Sequence, residues 1–289
     1  MIRKNLLSNR KITTVTVCLL LLMSCSREQT VDVVTCESSC YLHLSRTRTD
    51  TNEDVDPEVE RLDFDMYDML WLGGDLAVAT SEDDRTMMLL NSIFDLGSTN
   101  TLWSLGNHDY ADPMKVRDYT HRPTYYSKHS NGVTIVVLDT EKNVGKIVGH
   151  QKEFLFGILD TITQSSHLVL LHHKLVWMYD NPDLESLIPE VSNGPVGDCS
   201  YCLSPNNFNQ DIYPKLVELT EQGLQVICVG GDIGNVVQEY QHVTPEGITL
   251  LASGIKSNDE GNKALLFHHD IEDQSLSWEF KLLTDLPLR

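Results

Sequence analysis

Three observations predict a mixed α/β domain. Apolar runs rich in β-branched residues alternate with segments of helical period through the middle of the chain. Short apolar runs separated by turn residues follow near the C-terminus, as hairpin strands would. The chain's 289 residues, 41% of them hydrophobic, can bury one sizeable core. With no repeat of fixed period and no low-complexity tract, this order predicts one α/β domain with a mixed sheet arrangement.

Taken in order, residues 31–34 and 41–44 are candidate strands, and His43 within the second reads as a packed core residue. An acidic tract over 49–68 contains Pro57, placed to open a short helix. Residues 69–72 (Met-Leu-Trp-Leu) predict a buried strand, 84–96 a helix, 101–105 a strand and 133–138 a β-branched strand. Residues 150–162 predict an amphipathic helix with Phe154, Leu155, Ile158 and Ile162 on one side. The scheme then repeats, with a strand at 167–171, a helix at 212–222 and a strand at 224–229. Residues 177–209 lack periodicity and carry Pro, Gly, Asn and two cysteines, which predicts a lid or active-site loop. Residues 248–252, 264–268 and 276–282 complete the strands.

Chemistry is concentrated where these strands end. Gly73-Gly74-Asp75, Gly106-Asn107-His108-Asp109, His172-His173 and Gly230-Gly231-Asp232 each follow an apolar run. Oxygen and nitrogen donors at successive strand ends describe a cupped site for a hard or borderline divalent cation. A purely structural reading, in which Asp75 and Asp232 cap turns beside their Gly-Gly pairs, leaves the ordered Asn107 and His172 unexplained.

The motif order resembles the calcineurin-like metallophosphoesterase family, whose pattern runs Asp-x-His, Gly-Asp, Gly-Asn-His-Asp/Glu, His and Gly-His-x-His. Pro123-Thr124-Tyr125-Tyr126, Val137-Leu138-Asp139-Thr140 and the helix start at His150-Gln151 support the match, which covers residues 41–289. The resemblance implies a four-layer αββα sandwich with two central mixed sheets and a metal centre where loops meet. It implies that Asp75 bridges, that Asn107 and His172 bind the second metal with His173 as the alternative, and that His108 faces the substrate with Asp109 orienting its ring.

Two motifs depart from the pattern. Ser45-Arg46-Thr47-Arg48 stands where Ser-Asp-x-His is expected, and Gly231-Asp232-Ile233-Gly234 where Gly-His-x-His is expected. The first metal keeps only Asp75, whereas the second keeps Asp75, Asn107, His172 and Asp232. One metal is therefore expected. The donor set favours Mn, Mg or Fe and leaves Zn open. Arg46 and Arg48, two apart in an extended segment, are expected to face one side and to replace the lost ion's charge while clamping phosphate. Alternatively they are solvated or paired with the acidic tract, whose Asp63, Asp65 and Asp68 could themselves rescue the first site.

The N-terminus carries Arg3, Lys4, Arg10 and Lys11, an apolar stretch, then Leu22-Met23-Ser24-Cys25. This resembles a bacterial lipoprotein signal over residues 1–25, with a tether and first strand region over 26–40. The expected location is outside the cytoplasm, periplasmic or at the cell surface, on a lipid anchor. Without those four basic residues, 18 Lys and Arg face 42 Asp and Glu, a net charge near −24. That surface excludes duplex nucleic acid as a partner. Cys199-x-x-Cys202 could join Cys36 and Cys40 in a zinc site, but an oxidising location favours disulfides. Cys228 in its apolar run reads as a buried hydrophobe. The expected function is hydrolysis of a phosphorylated small molecule or phosphodiester; a catalytically inactive protein binding a cation or phosphate is the alternative.

Overall fold

Strand β1 (Ser39–Leu44) sets the architecture, because its two faces enter different cores: Leu42 and Leu44 on one side, Tyr41 on the other. The computed structural model describes residues 39–49, 54–194, 196–197 and 203–289, all within one unit, Val33–Arg289. The expected signal, the candidate strand at 31–34, and Cys36, Cys199 and Cys202 lie outside the described residues.

After β1 come α1 (Pro57–Glu60), β2 (Met69–Leu72), α2 (Asp84–Phe94), β3 (Thr101–Trp103) and α3 (Pro113–Thr120). Then follow β4 (Tyr126–Ser130), β5 (Val133–Val137), α4 (Gly149–Leu159), β6 (His167–Leu171), α5 (Ile188–Val191), α6 (Tyr213–Glu221) and β7 (Gln225–Gly230). The chain ends in β8 (Glu239–Val243), β9 (Thr249–Ser253), β10 (Lys263–Asp270) and β11 (Ser275–Leu282). One sheet has the order β11-β10-β1-β2-β3, and the other β4-β5-β6-β7-β9-β8. In the first, β1, β2 and β3 run parallel and the pairings β1–β10 and β10–β11 on the other side are antiparallel; in the second, β5, β6, β7 and β9 run parallel and the edge strands β4 and β8 antiparallel.

Alternation along the strands makes four layers. Tyr41, Trp71, Val169, Ile227 and Phe267 meet between the sheets. Met87, Leu90 and Phe94 of α2 and Val116 of α3 cover the outer face of the first sheet. Leu155 and Leu159 of α4 and Leu216 of α6 cover that of the second. This is the expected αββα sandwich.

Within 177–209, expected as a lid or active-site loop, the described residues Trp177, Leu184, Ile188, Val191, Leu203 and Phe208 belong to the outer core of the second sheet. The helix α3 and the strands β4 and β8 are additional. Both strands flank the second sheet and alternate half-buried with exposed residues, so they carry no apolar run. In α3 only Val116 and Thr120 are buried.

The parallel strands β1, β2, β3, β6 and β7 all release their carboxyl ends toward one rim, the usual place for a ligand in such sheets. Ser45 ties the two sheets together there, its hydroxyl donating to the carbonyls of Gly231 (2.6 Å) and Gly74 (3.1 Å).

Candidate functional site

Asp75 leaves β2 through a left-handed turn, with φ 95° at Gly74 and 58° at Asp75 itself. Its Oδ1 accepts from the His108 backbone at 3.1 Å. His173 Nε2 stands 3.6 Å from Asp75 Oδ1 and 3.9 Å from Asp232 Oδ1, and its Nδ1 donates to the Gly73 carbonyl at 2.7 Å. Asp75, Asp232 and His173 are all buried. Asp232 Oδ1 accepts from Asn193 Nδ2 at 3.1 Å, a residue of the 177–209 segment, so that segment does reach the site.

Of the adjacent histidines, His173 is the one that approaches the two carboxylates, while Nε2 of both is buried without a hydrogen-bond partner. His172 turns its Nδ1 to the Lys174 carbonyl at 2.7 Å, and among the described ion pairs only His173 reaches the two carboxylates. Side chains alternate along an extended chain, so one step past a strand end reverses which neighbour faces the rim. Burial holds His172 down at about 4 despite its hydrogen bond to Lys174. Burial also opposes charge on His173, but Asp75, Asp232 and Glu141 outweigh it and bring its pKa up to about 9. Burial pushes Asp232 up as well, with His173 opposing.

The two arginines diverge. Arg46 has φ 49°, which breaks the extended repeat that would have aligned it with Arg48. Its guanidinium donates to the Ile255 carbonyl at 3.0 Å and to Asn235 Oδ1 at 2.9 Å. Arg48 Nε lies 4.0 Å from Asp75 Oδ2. The departure at Gly234 is coupled to Arg46: a Cβ there would meet the Ile255 carbonyl at 2.6 Å and Arg46 Cδ at 3.2 Å, at φ +113°. The arginine stem and the glycine thus share the place where the family pattern puts first-metal ligands. Asp63 and Asp68 are occupied elsewhere, accepting from Asp65 N and Cys40 N respectively.

Asp109 does not orient the His108 ring. Fully buried, it accepts from the backbones of Asp75 (2.7 Å), Leu76 (3.1 Å) and Gly106 (2.8 Å) and from the Thr80 hydroxyl (2.6 Å), locking two motif loops together. Burial, then the Asp75 charge, push its pKa up against these donors. The His108 ring is instead fixed by Nδ1–H donating to the Val78 carbonyl at 2.6 Å, which leaves Nε2 for proton exchange.

His108 and Asn107 line a cavity of about 430 Å³ with Tyr110, Glu141 and Lys174. Tyr110 donates to Asp139 Oδ2 at 2.9 Å, and Gln151 grips the Asp139 backbone through both its amide atoms. Lys174 and Glu141 were missed in the sequence, although a lysine inside His-His-Lys-Leu-Val-Trp is a polar group in an apolar run. Burial raises Glu141 to about 7, against the pull of His173 and Lys174.

A cation suits this donor set in chemistry. His172 Nε2, His173 Nε2 and Asp232 Oδ2 are buried with no hydrogen-bond partner. The 3.6 Å between His173 and Asp75 is too long for a hydrogen bond. Two ligands each about 2.0–2.2 Å from one ion at tetrahedral angles stand about 3.3–3.6 Å apart. Among the described residues, no three His, Cys, Asp or Glu side chains already form a closed metal cage.

No family model matches the sequence, and no curated protein matches it. Solved structures do. A dimetal phosphatase from Danio rerio superposes with a TM-score of 0.54 at 10% identity, covering 85% of this chain and 96% of that one. A 5'-nucleotidase precursor from Thermus thermophilus gives 0.44 at 14% identity over 87% and 56%. The NAD nucleotidase of Haemophilus influenzae gives 0.37 at 12% over 84% and 49%. By its layers, its two mixed sheets and the first of these likenesses, the chain has the calcineurin-like phosphoesterase fold.

Proposed function

We propose that the protein is a metal-dependent phosphoric ester hydrolase with one metal, held by Asp75, Asn107, His173 and Asp232. The observation that carries this reading is the meeting of His173 with Asp75 and Asp232, beside a cavity lined by Asn107 and His108. A divalent cation here would supply a hydroxide-forming water and polarise the phosphoryl oxygens. With Nδ1–H committed to the Val78 carbonyl, His108 would present Nε2 to the leaving oxygen, and only the imidazolium form carries a proton there to donate. Asp109 keeps the Asp75 and His108 loops in register. Arg48 offsets Asp75, and Arg46 fills first-metal space rather than clamping substrate.

The substrate is a phosphorylated small molecule or phosphodiester. An exported, lipid-anchored location follows from the Leu22-Met23-Ser24-Cys25 signal. It is supported by a disulfide at Cys40, which suits an oxidising compartment. No helix among the described residues is long and apolar enough to cross a membrane.

Elemental analysis of the purified protein should find about one divalent metal per chain, by the ligand count above. Aryl phosphate mono- or diesters should be hydrolysed in a metal-dependent way, and Asp75→Ala and His108→Ala should abolish it. Bound metal with no turnover across an ester panel would instead favour a binding protein, the reading motivated by Arg46 occupying first-metal space.

A further inference from the structure

We infer that Val144 is a specificity-determining residue that packs on the alcohol half of the ester, so that the substrate is a phosphate ester of an apolar alcohol; this rests on the hydrolase reading above. In the loop after β5, Asn143, Val144 and Gly145 all have positive φ, at 56°, 55° and 87°. Asparagine and glycine enter that left-handed region readily. Valine does not, because its branched Cβ crowds the backbone there.

Core packing does not explain the valine. Its side chain is 52% exposed, and glycine or asparagine would hold the same turn with less strain. The conformation is imposed from both sides. Asp139 Oδ1 accepts from the backbones of Glu141 (3.2 Å) and Lys142 (2.9 Å). Asn207 accepts from the Ile147 N–H and donates to the Ile147 carbonyl, both at 2.9 Å. Between these anchors the Val144 N–H donates to the Glu141 carbonyl, and the Lys146 N–H to the Asn143 carbonyl, each at 3.3 Å. A side chain held in a sparsely populated conformation by its surroundings points to a use for that side chain.

The place where it is held supplies the use. Val144 lines the cavity of about 430 Å³ that also contains Asn107 and His108, and Val78, Tyr110 and Ala111 add apolar surface to the same space. The Tyr110 hydroxyl donates to Asp139 Oδ2 at 2.9 Å, so one aspartate fixes both the tyrosine and the start of the valine loop. In the hydrolase reading His108 presents Nε2 to the leaving oxygen, which puts the group on that oxygen in this cavity. An alcohol with an apolar body would leave water for these side chains, whereas a small polyol would gain little from them.

The test compares the metal-loaded protein and its variants on naphthyl phosphate and glycerol phosphate, with kcat and KM resolved for each ester. Val144→Asn suits the left-handed backbone and removes the apolar contact. It should lower the ratio of kcat/KM for naphthyl over glycerol phosphate by about threefold or more, mainly through KM for the naphthyl ester. Val144→Gly should do the same, and Val144→Leu should keep most of the wild-type ratio. Each variant's ratio is set against that of the wild type, which cancels the difference in leaving-group reactivity. Val144→Asn should also unfold at a urea concentration no lower than the wild type, because backbone strain is relieved. A less stable Val144→Asn that loses both esters together would assign the valine to the structure of its loop and overturn the inference. A wild-type ratio in folded Val144→Asn and Val144→Gly, with ester hydrolysis intact, overturns it too and leaves the hydrolase reading standing. A wild type that holds metal and hydrolyses neither ester ends both.

Discussion

Asp109 is the residue on which most of the local geometry rests. One carboxylate gathers three backbone N–H groups from two loops and a threonine hydroxyl, at no solvent exposure. An amide of the same shape must turn an NH₂ toward donors. Asp109→Asn should therefore lower stability by about 2–4 kcal/mol, since buried unmet donors carry most of the cost. It should also lower turnover by displacing Asp75 and His108, although its carboxylate bonds no atom of the His108 ring. Urea denaturation alongside aryl phosphate kinetics checks both; a loss of activity at unchanged stability would return Asp109 to the ring-orienting role. At this scale the strand-end positions of Asp75, Asn107 and Asp232 were legible, because each stands past an apolar run with glycine before it, and His108 follows Asn107. Which of His172 and His173 approaches the two carboxylates was not legible. That depends on one peptide's orientation past a strand end, and the positive φ of Arg46 is equally invisible in composition.

Elements follow the same division between what pattern carries and what packing decides. Strands β2 and β6 stand where their apolar runs begin and end, because buried parallel strands read as unbroken hydrophobic stretches. The edge strands β4 and β8 offer no such run, and α3 buries too little to show a period. The 177–209 segment misled for the opposite reason: its core residues are scattered between turns, so no repeat announces their burial. Helix α2 shows its start plainly. Asp83 accepts from Thr86 N at 2.7 Å, and Met87, Leu90 and Phe94 then face the first sheet. Removing that cap in Asp83→Ala should cost about 1 kcal/mol in thermal or urea unfolding and leave turnover unchanged, because α2 packs on the face away from the inter-sheet core. A loss of activity would mean that the helix position feeds into the Gly73–Asp75 turn that precedes it.

For the whole molecule, acidity is the dominant long-range property. The net charge of −20 disfavours polyanionic partners, so the phosphorylated substrate proposed above would need a local exception to that field. The buried Lys174–Glu141 pair also sets a pH dependence. Burial raises folded Glu141 from 4.5 to about 7, so the proton is bound more tightly in the folded state. Its contribution to stability is then fully present below about pH 4.5 and is lost as pH rises toward 7, by at most about 3 kcal/mol. Relative to the wild type, metal-free Glu141→Gln should lose less stability to urea between pH 5 and pH 7.5, a comparison that removes the opposite slope of His43 and His172, whose pKa values burial lowers. An unchanged slope in the variant would assign the dependence to other groups.

The contact at Gly231 has a mechanical corollary. A methyl carbon there would lie 2.0 Å from the Gly73 carbonyl oxygen, so the rims of the two sheets touch main chain to main chain. Such a seam cannot spread like a clam to admit a guest. The cavity beside the site is lined from the loops after β2, β3, β5 and β6, and a ligand that gripped both rims would act as a rivet across the two halves of the fold.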